Sequence, residues 1–381
     1  MMNFKFRKIS GILFSLIFIL FIYLPLLFTN TVSNFKSEFD NRVLPEFPSK
    51  IDKKVFSKFE DFINFRIGFR EPALTAYQIL NYKLFSIVEH PHYMRGEQSY
   101  LFAKGKQYTV DFQRLNVDEA YLDRYIAYLE SINTLCAERN TKFLYFLVPD
   151  KQAIYPEFFP KGFNIKETKS RTEVFLEKLD TADFDYLFPK EEFLVRKQSQ
   201  QIYNVEYDAG HWNGNGELLA NQLVLSRLKE SFPDIVIPSV EDYEFSMVLM
   251  TSLQTSRFPI NEFVPNYELN ETKATANESR FESVNLVAKN RYKYHFQNSN
   301  SATPLKLLLF GDSYMQNSTK HYLNSFSEVT FLHADNLPLL SYYIDEFQTD
   351  ILVLEHAVTS LGPGGRFGDK LINGDGLMED E

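Results

Sequence analysis

Two short segments hold the residues best suited to chemistry. Gly311-Asp312-Ser313-Tyr314 ends an apolar run, and Tyr207-Asp208-Ala209-Gly210-His211-Trp212-Asn213-Gly214-Asn215-Gly216 lies about a hundred residues earlier. A serine hydroxyl is a weak nucleophile at neutral pH. It needs a histidine to take its proton and a carboxylate to hold that histidine in the right tautomer. Ser313, His211 and Asp208 supply the three groups. Asp208 and His211 stand three apart, close enough to touch on a turn. Gly311 permits a tight turn, and a helix starting after Ser313 would aim its first amides at a developing oxyanion. Asp312, Tyr314, Trp212 and Asn213 flank the chemistry as candidates for oxyanion or substrate contact. Each segment also has a plain structural explanation: Gly-Asp-Ser is a common turn and helix N-cap, and Asp208 or Asn213 could cap the helix that follows.

Parts of the chain far apart must bring these groups together. KFLYFLVP (Lys142 to Pro149), LKLLLFG (Leu305 to Gly311), VTFLHA (Val329 to Ala334) and DILVLE (Asp350 to Glu355) are continuous apolar runs of strand length. Such runs suit the central strands of a parallel sheet covered on both faces. Helical patterns lie between them, at Leu122 to Asn140, Glu217 to Glu230 and Leu339 to Phe347. The alternation predicts an α/β layered domain, with ligands expected beyond the carboxyl ends of its strands. Residues 262–304 are polar and read as a long insertion or irregular surface. The Gly-rich, acidic stretch 362–381 reads as a flexible tail.

Ile9 to Phe28 is nearly all apolar and, as a helix, matches the hydrocarbon thickness of a bilayer at roughly 30 Å. Lys5, Arg7 and Lys8 precede it and no acid does, which keeps the N-terminus cytoplasmic and the remainder outside. A cleaved signal peptide is the competing reading, and it also exports the body of the chain. The 381 residues carry a net charge of −10, and the three N-terminal cations leave −13 on the rest. So acidic a body excludes a generic nucleic-acid binder. The single cysteine, Cys136, excludes an intrachain disulfide and a four-cysteine zinc site. His90 and His92 flank Pro91 without a carboxylate set and read as a surface turn, so no metal is assigned; a triad needs no cofactor either. Lys151, after a strand run, is either a substrate contact or a solvated loop lysine, and His356 reads first as a core or surface histidine.

Taken together, the Gly-Asp-Ser turn and the Asp-x-x-His block resemble the SGNH/GDSL hydrolase superfamily. Their reversed order, behind an N-terminal apolar segment, resembles one branch of it, the AlgJ/AlgX-like alginate O-acetyltransferases. Further stretches match that pattern in series: NRVLPEFPS (Asn41 to Ser49), FEDFINFRIGFRE (Phe59 to Glu71), GEQSYLF (Gly96 to Phe102), Val148-Pro149-Asp150-Lys151 continuing to Glu157, and ILVLE (Ile351 to Glu355). There are departures. Two residues separate Asp208 from His211 where the family has one, which makes Glu206 the fallback carboxylate, and His356 stands where its late strand has arginine. No carbohydrate-binding module is evident after the catalytic region, which resembles the AlgJ architecture.

The resemblance implies an SGNH-like three-layer α/β/α domain with a parallel sheet over residues 95–361. Before it come a transmembrane signal anchor over 1–28 and an extended and helical connecting region over 29–94. It implies a single-pass inner-membrane protein with its catalytic domain on the periplasmic side, working as an O-acetyltransferase through an acyl-serine. The acceptor would be a polysaccharide, and a multi-pass membrane acyltransferase would deliver the acetyl group. A carbohydrate esterase with the same triad is the alternative, and a non-catalytic scaffold of a polysaccharide export complex is the third.

Overall fold

The four apolar runs become strands because each offers apolar side chains to both faces of one sheet. In the computed structural model of the chain, which describes residues 2–37, 42–85, 87–88, 92–115, 117–254 and 258–362, the sheet strands are β1 Lys142–Val148, β2 Asp185–Leu187, β3 Thr275–Ala276, β4 Lys293–Gln297, β5 Lys306–Gly311, β6 Glu328–His333 and β7 Ile351–Ala357. Their spatial order is β2-β1-β7-β5-β6-β4-β3. Strands β2, β1, β7, β5 and β6 run parallel, whereas β4 joins β6 antiparallel at one edge and β3 in turn pairs antiparallel with β4. The sheet is therefore mixed, a correction to the all-parallel expectation. The polar stretch 262–304 likewise holds two of the sheet's strands. Its pairing is carried by the backbone at an edge, where side chains need not be apolar, so the hydrophobic pattern is weak there.

The pleat sorts side chains into two cores. Leu144, Phe146, Leu307, Leu309 and Val353 face one layer, which helix α3 (Gly214–Lys229) covers with Ala220, Val224, Leu225 and Leu228. Phe143, Tyr145, Leu308, Phe310, Leu352 and Leu354 face the other. There α1 (Glu119–Glu138), α2 (Arg171–Leu179) and α4 (Leu340–Phe347) contribute Leu122, Leu129, Phe175 and Ile344. This makes three layers, helices over both faces of a sheet. The capping box at the start of α2, Ser170 with Glu173, shows the local chemistry that sets helix boundaries.

Two compact units divide the chain, one of residues 1–90 with 251–261, the other of 91–250 with 262–381. The first contains helices Met2–Leu27, Val55–Arg66 and Arg70–Phe85. Its interior is organised by Arg66, whose side chain is fully buried. The guanidinium donates to the carbonyls of Asn30, Val32, Leu44 and Pro45 and to the Glu46 carboxylate. One side chain thus fixes a loop that has almost no regular structure of its own. Among the described residues no helix is long and apolar enough to cross a membrane. Of the run Ile9 to Phe28, the side chains of Ile9 and Ser10 lie outside those described. His90 and the tail from residue 363 on also lie outside the described residues.

Candidate active site

Strands β1, β7 and β5 lie side by side and parallel, so their carboxyl ends place Asp150, Glu355 and Gly311-Asp312-Ser313 along one rim. The second expected segment, residues 207–213, reaches the same rim. His211 Nε2 lies 2.7 Å from Ser313 Oγ, and His211 Nδ1 lies 2.8 Å from Asp208 Oδ2. Ser313 is exposed, while Asp208 is buried. Asp208 is the residue that holds the imidazole. Its Oδ1 also accepts the amides of Gly210, at 2.7 Å, and His211, at 2.9 Å. The two-residue spacing therefore has a geometric sense: the chain turns back over Asp208 and bonds the same carboxylate through backbone and ring. Glu206, the alternative carboxylate, gives its amide to Glu262.

Electrostatics follow from this contact. Burial works against the Asp208 carboxylate, but the charge and hydrogen bond of His211 and the two amides outweigh it and hold it well below the usual carboxylate range. Burial also disfavours the imidazolium of His211. The Asp208 charge and hydrogen bond prevail with help from Asp312, raising the histidine above its ordinary value.

The loop is anchored from three sides. Glu262, on the hairpin strand Pro259–Leu269, accepts the amides of Val205, Glu206 and Tyr207 at 2.6, 2.7 and 2.5 Å. The same strand runs so close to the start of α3 that a Cβ on Gly214 would sit 2.3 Å from the Pro265 carbonyl, so only glycine fits there. Lys151 is fully buried, and its ammonium donates to the carbonyls of Leu101, Val205 and Asp208. It is neither a substrate contact nor a solvated lysine: three donors meet three carbonyls inside the fold, and burial pushes its pKa down to about 7.

The remaining candidates fall into place around the triad. Tyr314 is buried, lies tilted beside His211 with ring centroids 4.6 Å apart, and donates its hydroxyl to the Gly210 carbonyl. Trp212 packs edge-on against Tyr314 in the core and forms no open wall for a sugar. Asn213 caps α3, accepting the amides of Asn215 and Gly216. Asp312 Oδ1 accepts the amide of Tyr314 at 2.8 Å. His356 is buried against Tyr125, away from the triad, with Nδ1 2.6 Å from the phenol. No α-helix starts directly after Ser313. Residues 313–317 form successive turns and only a 3₁₀ turn, Ser318–His321, follows. Asp312 takes one amide of this stretch, and Asn221 holds the Ser318 hydroxyl from α3, so local side-chain bonds replace the helical ladder. Among the described residues the Ser313 amide donates to no protein acceptor, which leaves it available to an oxyanion.

Sequence reasoning missed Glu262 and Tyr108. Tyr108 lies near Asp208, Asp312 and Asp150; burial first, then these carboxylates, push its phenol up to about 12. Neither residue stands in a motif, and nothing in their local sequence signals a role. Replacing Glu262 by alanine strands three amides of the His211 loop. The expected result is a loss of kcat of about 10- to 100-fold with a smaller change in KM, read by steady-state kinetics with a chromogenic ester.

Together, fold and site define a three-layer α/β protein with a serine-histidine-aspartate constellation on the carboxyl rim of its sheet. No protein-family model matches the chain, and no curated protein does. Solved structures with a similar fold include PatB1 of Bacillus cereus, at 15% identity and a TM-score of 0.55, covering 72% of this chain and 99% of that one. A DHHW family protein from Eubacterium siraeum matches at 15% identity and a TM-score of 0.50, covering 67% and 89%. The O-acetyltransferase domain of Pseudomonas putida AlgJ matches at 13% identity and a TM-score of 0.48, covering 74% and 99%. The chain shares the fold of the first two.

Proposed function

We propose that this chain is a membrane-anchored, extracytoplasmic O-acyltransferase that acetylates a cell-surface or secreted polysaccharide. The observation that carries the reading is the 2.7 Å contact between His211 and an exposed Ser313, with Asp208 on the far side of the imidazole. The acetyl group and the polysaccharide come from the sequence resemblance to the alginate O-acetyltransferases. Ser313 Oγ attacks the acetyl carbonyl as His211 takes its proton. The Ser313 amide faces the developing oxyanion, and the leaving group departs with the proton from His211. The acyl-serine is then attacked by a sugar hydroxyl whose proton passes to His211 and on to the serine oxygen, restoring the enzyme.

Anchoring is proposed on the helix Met2–Leu27, whose apolar side chains, Phe14, Phe21 and Leu27 among them, are exposed around its circumference. A body outside the cytoplasm has no access to cytoplasmic acetyl donors, so a multi-pass membrane acyltransferase is the proposed supplier.

Water is the competing acceptor, because Ser313 is open to solvent. The test incubates the chain with an acetyl ester, with and without an oligosaccharide. Acetylated sugar formed in proportion to acceptor supports transfer. Free acetate at a rate indifferent to sugar replaces the transferase reading with an esterase.

A further inference from the structure

The rim that carries the triad also carries a cleft that the chemical steps leave unused. It encloses about 630 Å³. Asp150, Gln152 and Ala153, just after β1, and Val358, just after β7, line it where it meets the sheet. Helix Lys106–Phe112, α2 and the segment after β2 supply the rest of its lining. The cleft is close to the nucleophile. Strand β7 stands between β1 and β5, so at about 4.8 Å per strand the ends of β1 and β5 are roughly 10 Å apart. Lys151, between two lining residues, donates to the Asp208 carbonyl at 3.2 Å, which ties the cleft to the triad loop. A chain of linked rings seated here would continue along the rim toward Ser313.

The lining fits a carbohydrate. Phe112, Tyr186 and Phe188 are half-buried, so each offers part of a ring to the cleft. Aromatic faces with a few placed polar groups are the usual lining of a small-molecule site. Gln152 is buried against the same space. Its Nε2 donates to the Tyr108 carbonyl at 3.4 Å, while its Oε1 has no hydrogen-bond partner among the described residues. A buried acceptor left open beside a cleft calls for a donor from the ligand, a hydroxyl or an ammonium.

Charge narrows the class. Among the described residues, five carboxylates line the cleft, those of Asp111, Asp150, Glu173, Asp180 and Glu191, against the cations of Arg114 and Lys190. Arg114 is taken up by Glu173 at 3.2 Å, and Arg171, 4.0 Å from Asp111, is buried outside the lining. Burial, then the Asp111 charge, push Asp150 up to about 7, as crowded carboxylates do. A uronate or phosphate in the ligand would add negative charge to this field, whereas hydroxyls and protonated amines suit it.

We propose that this cleft is the acceptor subsite, and that the acceptor is a glycan without acid groups, favoured when its repeat carries an amino sugar. A polyuronate such as alginate is thereby excluded. This inference rests on the transferase reading above and names its substrate class.

The full chain in detergent is titrated at low salt and pH 6, where the sugar amines are protonated, with tetrasaccharides of glucosamine, N-acetylglucosamine and galacturonate. Expected from calorimetry is tightest binding of the glucosamine tetramer, then the N-acetylglucosamine tetramer, with galacturonate at least about tenfold weaker than either. In Glu191→Lys, an exposed position of the cleft, the ratio of glucosamine to galacturonate affinity should fall at least about tenfold. Loss of folded protein would not move that ratio, and the wild-type order decides even should the variant fold poorly. Equal affinities, a preference for galacturonate, no binding of any tetramer, or an unmoved ratio in Glu191→Lys overturns the proposal. Acetylation of the same sugars from an acetyl ester is measured in parallel. If they bind in the expected order and none is acetylated, the transferase reading falls and the charge selectivity stands. If galacturonate is acetylated as fast as the others, the selectivity falls and the transferase reading stands.

Discussion

Substituting alanine for Ser313 should lower kcat for acetyl-ester turnover by at least ~10⁴-fold while leaving the unfolding transition in place. The size of the effect follows from the geometry. The hydroxyl is the most exposed group of the constellation, it lies 2.7 Å from the base that would deprotonate it, and the alanine variant offers no other nucleophile at that point. The fold should tolerate the change because the Ser313 hydroxyl contacts the imidazole and lies outside both cores. The measurement is a progress curve with an acetyl ester, paired with thermal unfolding of the same preparation. Activity retained within tenfold would remove Ser313 from the mechanism and with it the acyl-serine.

The second large effect belongs to Asp208. In Asp208→Asn the amide can still contact His211, but it favours the wrong tautomer and no longer stabilises the imidazolium. Loss of kcat should be ~10⁴-fold, as triads of this kind show for the same substitution. A pH profile adds a signature that mere misfolding would not give. His211 acts as a base only when neutral, so kcat/KM should fall as pH drops through its pKa. Asp208 and Asp312 raise that pKa above the ordinary histidine value, against the opposing effect of burial. The acidic limb of the wild-type profile should therefore lie above about 6.5. Removing the Asp208 charge moves the residual activity's limb to lower pH. A limb unmoved by Asp208→Asn would mean that another group titrates there.

Much of this site was legible in the chain. Ser313, His211 and Asp208 could be named from residue types and spacing, because nucleophile, base and orienting carboxylate are chemically distinct and sit in glycine-marked turns. The parallel strands were legible for a related reason: a strand buried on both faces must be apolar throughout, as in Phe143 to Val148 and Leu307 to Phe310. Lys151 was not legible. A lysine after a strand looks solvated, and only the fold shows three carbonyls closing around it. Trp212 and Asn213 stood next to the Asp208–His211 segment and looked like site walls. Packing instead made one a core ring and the other a helix cap.

The chemistry available and the period of the elements, a Ser, a His and an Asp in turns and strands apolar on both faces, are written in the chain itself, since these depend on residue type and near neighbours. Which distant groups meet is set by the folded arrangement alone. Glu262 reaches the amides of residues 205–207 from a polar hairpin, and Glu355 lies under Gly311 because β7 inserts between β1 and β5. Strand order and hairpin docking arise from packing summed over the whole core, and no local stretch of residues encodes that sum.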